Sequence, residues 1–278
     1  MSMEGKICIV TGANSGIGKA TAIGLAKMNA TVVMLCRSKE RGEEAQSEII
    51  ELTGNNNVDL LICDLSSQKE IRDFESEFKS KYQNLHVLIN NAGVMLSKKL
   101  LSVDGFEMNF AVNHLAPFLL TNLLLDILKK SAPSRIINVG SAAHRMGKID
   151  FEDLEKKNKK GRFFRLYGSS KLALTLVSYE LSRKLEGSRV TVNVVHPGLI
   201  NTKLGRDRSS TRNGFANKFL KSPEIGAETS IFLASSPEVE GITGKYFAKK
   251  KEKLSSKDSY NEEYAKRLWE ISTEMTKL

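Results

Sequence analysis

The chain has 278 residues, 41% of them hydrophobic, and a formal net charge of +10. Length and apolar content suit a single α/β domain spanning 1–278, which would bury roughly three-quarters of its unfolded surface; a disordered chain is excluded. Cys8, Cys36 and Cys63 each fall in an apolar run with no CxxC or Cys/His cluster, which argues against disulfides and zinc and for a reducing compartment.

The first apolar run, 7–10, begins too early to leave room for a signal peptide. It ends in Thr11-Gly12-Ala13-Asn14-Ser15-Gly16-Ile17-Gly18, followed by a helical pattern over 17–28. Gly12, Gly16 and Gly18 allow a tight turn and close backbone approach to a pyrophosphate, with Asn14, Ser15 and Ile17 in the same turn. The helix start supplies unpaired N–H groups and a positive dipole end. The spacing is GxxxGxG, not the GxGxxG of the general dinucleotide fingerprint.

The second run, 31–35, leads to Cys36-Arg37-Ser38. An acidic residue at this strand tip would bind the ribose hydroxyls of NAD. None is present, and Arg37 is suited to pair with a 2′-phosphate, with Ser38 adding a hydroxyl; the expected cofactor is therefore NADP(H) rather than NAD(H), although Glu40 lies close by. Further runs follow at 58–63, 85–89, 136–139 and 190–195, separated by helical patterns at 42–52, 71–81 and 110–130. Apolar strands alternating with helices predict a doubly wound parallel sheet covered on both faces. The longest apolar stretch, 118–128, is broken by Thr121, Asn122 and Asp126 and is too short to span a bilayer. A cytoplasmic protein is expected.

Tyr167 and Lys171 stand four apart, on one face of a helix. An ammonium beside a phenol favours phenolate and would pull its pKa down from about 10, making Tyr167 a proton donor and acceptor for a carbonyl/alcohol pair.

Together these motifs resemble the short-chain dehydrogenase/reductase family. The glycine loop, Asn90-Asn91-Ala92-Gly93, Asn113, Ser141, Tyr167 with Lys171, and His196-Pro197-Gly198 carry the resemblance from Lys6 onwards. Ser141 precedes Tyr167 by 26 residues, longer than the usual interval. That interval, with Cys36-Arg37, Ser141-Ala142-Ala143-His144, Gly244-Lys245-Tyr246-Phe247 and Arg267-Leu268-Trp269, is similar to the retinol-dehydrogenase-like branch. The resemblance implies a Rossmann-type fold of about seven strands, the seventh a short one near 245–248, and hydride transfer between NADP(H) and a small-molecule carbonyl or alcohol, lipophilic as in that branch. Asp64 and Leu65 would contact the adenine, Asn90, Ala92 and Gly93 would line the dinucleotide channel, and Pro197, Gly198 and Thr202 would meet the nicotinamide. Lys171 would also bond the nicotinamide ribose, Ser141 would stabilise charge on the substrate oxygen, and Asn113 would hold a water linking Lys171 to solvent. Homo-oligomers through the helices carrying Asn113 and Tyr167 are expected on the same ground.

Two irregular segments complete the picture. The charged stretch 148–165 reads as an insertion beside the site, and 202–221 as a substrate loop. His144 either faces the substrate or is structural. Met95, Leu96, Met146, Leu199 and Leu204 are candidates for an apolar substrate wall. Basic runs at 156–160 and 249–251 read as solvated loops or an anionic-surface contact, and no motif supports nucleic-acid binding. The alternative to a reductase is a non-enzymatic NADP(H)-binding sensor or scaffold, which commonly loses the serine or tyrosine kept here. An epimerase or dehydratase would carry GxxGxxG and a longer C-terminal region.

Overall fold

The computed structural model describes residues 2–96, 100–154, 163–200 and 221–278. Alternation of side chains along each central strand sends apolar groups to both faces, so each strand needs helices above and below. In β1 (Ile7–Thr11), Cys8 and Val10 enter one core layer and Ile9 the other. In β2 (Thr31–Cys36), Val32 and Met34 share the first layer, Val33 and Leu35 the second.

The remaining strands are β3 (Val58–Ile62), β4 (Val87–Asn90), β5 (Ser134–Val139), β6 (Val190–His196), β7 (Lys245–Ala248) and β8 (Lys251–Lys253). Their order is β3-β2-β1-β4-β5-β6-β7-β8, parallel except for β8. The order reverses between β1 and β4, which opens a crevice at their carboxyl ends.

Helices α1 (Gly16–Ala26), α2 (Lys39–Thr53) and α8 (Pro223–Ser235) cover one face. On the other lie α3 (Gln68–Lys81), α5 (Ala116–Leu123), α6 (Leu125–Lys130) and α7 (Phe163–Lys184). The C-terminal α9 (Glu262–Thr276) forms an outer layer on α7, burying Ala265 and Leu268 against Leu172, Leu176 and Val177.

Three expectations change. Among the described residues the sheet has eight strands, one beyond the seven expected, because Lys249 and Lys250 both adopt the left-handed conformation and turn the chain back as a hairpin. The single helix expected over 110–130 is divided into α4 (Met108–Phe110), a π-helical turn Ala111–Leu115, α5 and α6. Pro117 has no N–H to offer the carbonyl four residues earlier, that of Asn113, and the widened turn lies just before it. Finally, the last residues of the expected insertion 148–165 already belong to α7, and Phe151–Asp153 form a short 3-10 turn.

Candidate active site

A cavity of about 550 Å³ runs along the carboxyl edge of the sheet, from the β1–α1 turn to Tyr167 and Lys171. Its first half is built from backbone. Gly12 and Ser15 to Gly18 line it, and α1 begins there with no side chain capping its N-terminus and no acid in its first turn. The amide groups of that turn are therefore left to an anion. Gly18 is required by close approach: a Cβ there would stand 2.3 Å from the Gly12 carbonyl oxygen and 2.5 Å from Asn91 Nδ2.

The glycine loop is locked to the Asn90–Gly93 segment by Thr11. Its hydroxyl accepts from the amides of Asn91 (2.9 Å) and Ala92 (2.8 Å), and its carbonyl accepts from Asn91 Nδ2 at 2.7 Å. Ala92 and Gly93 line the cavity as expected; Asn90 does not. Its amide donates to Thr121 Oγ1 and Asn138 Oδ1 in the core, and the neighbouring Asn91 takes the lining position.

At the far end of this half lie Arg37, Ser38, Asp64 and Leu65, all expected. Arg41 joins them and was not expected. The available signal was Ser38, which caps α2 by accepting from the Arg41 amide and so places Arg41 at the cavity. Arg37 approaches the Asp64 carboxylate at 3.8 Å, and the Ser38 hydroxyl donates to Glu40 at 2.9 Å. Two guanidinium groups and an uncapped helix start suit a phosphorylated dinucleotide; the residues present fit it.

The second half is built from side chains of α7, with every residue from Tyr167 to Lys171 engaged. Gly168 lets α7 press against the turn after β5, since a Cβ there would meet the Ala143 carbonyl oxygen at 2.6 Å. The Ser169 hydroxyl accepts from the Lys148 amide and donates to the Lys148 carbonyl. Ser170 accepts from Asn113 Nδ2 at 3.0 Å and donates to the Tyr167 carbonyl at 2.8 Å. Lys171 Nζ donates to the Val139 carbonyl at 2.8 Å.

Burial sets the electrostatics. It pushes the Tyr167 phenol above its ordinary range, opposed by a hydrogen bond with Ser141. The expected lowering by Lys171 is not present: its Nζ stands 6.0 Å from the ring centroid, and its own burial pushes its pKa down to about 8. The Asn113 side chain is engaged by protein: it bonds the Val94 amide and carbonyl (2.8 and 2.9 Å) and Ser170.

His144 is buried and absent from the cavity wall, which resolves its two readings in favour of the structural one. Of the expected apolar wall, Leu96 lines the cavity, whereas Met146 and Leu199 are exposed. Val94, Leu100, Met108 and Val112 supply the rest of that wall. Pro197 reaches the cavity, whereas Gly198 does not line it. Thr202, Leu204, the loop expected over 202–221 up to residue 220, and the basic run 156–160 fall outside the described residues. Among the described residues no cluster could hold a metal ion, and no helix is long and apolar enough to cross a membrane.

Comparison with known proteins agrees with this geometry. The family model for short chain dehydrogenase matches residues 6–213. Human retinol dehydrogenase 13 is 45% identical over 285 residues, covering 100% of this chain and 86% of its own length. Human retinol dehydrogenase 14 is 43% identical, covering 99% of this chain and 88% of its own. Among solved structures, an uncharacterized protein from Mycobacterium paratuberculosis superposes with a TM-score of 0.82 at 30% identity, over 99% of this chain and 95% of that one. The Pseudomonas aeruginosa RhlG/NADP active-site complex does so with a TM-score of 0.73 at 26% identity, over 93% and 98% of the respective chains.

Proposed function

The chain belongs to the short-chain dehydrogenase/reductase family, in its retinol-dehydrogenase-like branch, and from that premise we propose an NADP(H)-dependent oxidoreductase of lipophilic alcohols and carbonyls, retinoid-like or long-chain aliphatic. The carrying observation is the continuity of one cavity from the uncapped start of α1, past Arg37 and Arg41, to Tyr167 and Lys171 beside an apolar wall. The bound nicotinamide would supply or accept the hydride.

Everything else falls to the protein. Tyr167 gives a proton to the carbonyl oxygen in reduction and takes it back in oxidation, a contribution of about 10²–10⁴-fold for a placed acid/base. Its buried phenol is held neutral at physiological pH, the state required of a general acid. Ser141, already hydrogen-bonded with Tyr167, would donate to the same substrate oxygen and stabilise its developing charge. Lys171, aimed by the Val139 carbonyl, would hold the ribose hydroxyls and offer a cationic field to the phenol once those contacts form. Arg37 and Arg41 would hold the 2′-phosphate, and Asp64 with Leu65 the adenine. Val94, Leu96, Leu100 and Met108 would shed water from an apolar substrate. The three cysteines are free and buried, in keeping with the proposed cytoplasmic location.

Titration of the purified protein with NADPH and NADH, followed by a panel of retinoids, long-chain aldehydes and short polar carbonyls, tests this reading. Tighter NADPH binding with turnover of the lipophilic members supports it. Binding without turnover across the panel favours the sensor, and equal use of both nucleotides removes the assignment of Arg37.

A further inference from the structure

Ser141 leaves β5 in extended conformation and opens a 3-10 turn, Ala142–Met146, with its hydroxyl accepting from the Ala143 amide at 3.2 Å. Its carbonyl accepts two hydrogen bonds from one residue: the His144 amide at 3.1 Å and His144 Nδ1 at 2.6 Å. The opposite ring nitrogen accepts from the Ser256 amide at 2.8 Å. An amide can only donate, so Nε2 is the acceptor and the ring proton sits on Nδ1, aimed at Ser141. The neutral imidazole thus bridges one carbonyl and one amide that lie 115 residues apart in the chain.

The far anchor of this bridge is itself fixed. Arg145 donates to the carbonyls of Leu254 (2.6 Å) and Ser255 (3.3 Å), and the Ser255 hydroxyl bonds with Tyr179 of α7 at 2.8 Å. His144 packs against the Tyr246 ring, with centroids 5.1 Å apart, and is 1% exposed. It cannot touch a substrate. What it can do is hold the peptide unit that carries the Ser141 hydroxyl, while the anchoring segment is tied to the same helix as Tyr167.

We propose that His144 is the positioning residue of Ser141, a strut joining the serine's backbone to the C-terminal segment through Ser256. The inference rests on the role given to Ser141 above. A donor aimed at developing charge is worth about 10²–10³-fold when present, and displacement by about 1 Å can forfeit much of that. A strut that holds it acts on kcat, not on nucleotide affinity, because the glycine loop and Arg37 are supported by other contacts.

The test is a double-mutant cycle between His144→Phe and Ser141→Ala, measured as kcat at saturating substrate alongside NADPH Kd by fluorescence. Phenylalanine retains the packing against Tyr246 and the backbone amide bond to Ser141, and removes the two imidazole hydrogen bonds. The expected result is a fall in kcat of about tenfold or more for His144→Phe, with NADPH Kd within about twofold. In the Ser141→Ala background the same change should cost less than about twofold. His144→Asn, which retains a donor for the Ser141 carbonyl, should recover part of the loss.

Ser256→Pro is the second probe. Ser256 has φ of −72°, compatible with proline, and its hydroxyl has no hydrogen-bond partner among the described residues, so the change removes the amide proton that holds Nε2 and sets the proline Cδ against the imidazole in its place. A several-fold fall in kcat with unchanged NADPH Kd is expected. Equal losses from His144→Phe with and without Ser141 would overturn the strut, as would wild-type kcat in both His144→Phe and Ser256→Pro. Wild-type kcat in Ser141→Ala alone would instead overturn the catalytic role of the serine, and the strut with it.

Discussion

The two halves of the cavity are made in different ways. Around the β1–α1 turn, Gly12 to Gly18 present backbone amides and space, and one hydroxyl, that of Thr11, joins the loop to Asn91 and Ala92. Around Tyr167 and Lys171 the wall rests on a web of side chains behind it, Asn113, Ser141, His144 and Ser170, each with a partner from another element. A backbone site fails when any side chain is added, whereas a side-chain site fails when the right one is removed. The first half should therefore lose affinity on mutation and the second half rate.

The largest effect that would sharpen this contrast is in the second half. Tyr167→Phe removes the proton donor while leaving the ring packed; kcat should fall by about 10²–10⁴-fold with NADPH Kd nearly unchanged in fluorescence titration. More than about a tenth of wild-type kcat remaining would break the assignment.

Next comes Gly18→Ala in the first half. Its Cβ would collide with the Gly12 carbonyl, so the turn must shift. Overpacking costs about 1–3 kcal/mol, and NADPH Kd should rise roughly 10–100-fold, measurable by calorimetry. An unaltered Kd would show that the loop does not hold the nucleotide.

Arg37→Asp probes preference rather than affinity. Loss of a charge-assisted contact should lower the NADPH/NADH ratio of kcat/KM by about tenfold. No change in that ratio would leave Arg41 as the discriminating cation, since both arginines line the same end of the cavity.

The smallest expected effect is one of stability. Burial lowers the folded Lys171 pKa from 10.5 to about 8. Between those two pH values the unfolded chain binds a proton that the folded chain has released, so this group destabilises the fold below about pH 8 and the penalty is relieved as pH rises towards 10.5. Lys171→Met should therefore raise Tm at pH 7 more than at pH 10, whatever it does to turnover. An equal change at both pH values would show that burial does not lower the pKa of this lysine.

Some of the site was legible because its chemistry is local. The glycine loop, Arg37 with Ser38, and the Tyr167–Lys171 spacing each occupy one turn or one helix face, and all of them meet in the cavity. The roles of Gly168, Asn91 and Arg41 were not legible in the same way. Gly168 matters because α7 presses on a turn from another part of the chain, and Asn91 because β4 pairs with β1 and brings Thr11 beside it. Asn113 shows the limit most clearly. Its place in a motif was readable, but the commitment of its side chain to Val94 and Ser170 depends on how the π-helical turn sits against α7.

By itself, then, the amino-acid order determined the parallel sheet, the glycine turn after β1, the shared helix face of Tyr167 and Lys171, and the arginine at the tip of β2. Apolar periodicity, glycine spacing and a four-residue helical offset are local, and local geometry follows directly from them. Tertiary structure alone decided the eighth strand, the outer layer formed by α9, the raised phenol and lowered ammonium pKa values, and the bridge from Ser141 through His144 to Ser256. Burial and hydrogen-bond partnership are properties of the closed fold: a histidine's tautomer is set by the groups packed at its two nitrogens, and those groups come together only when segments far apart in the chain have met.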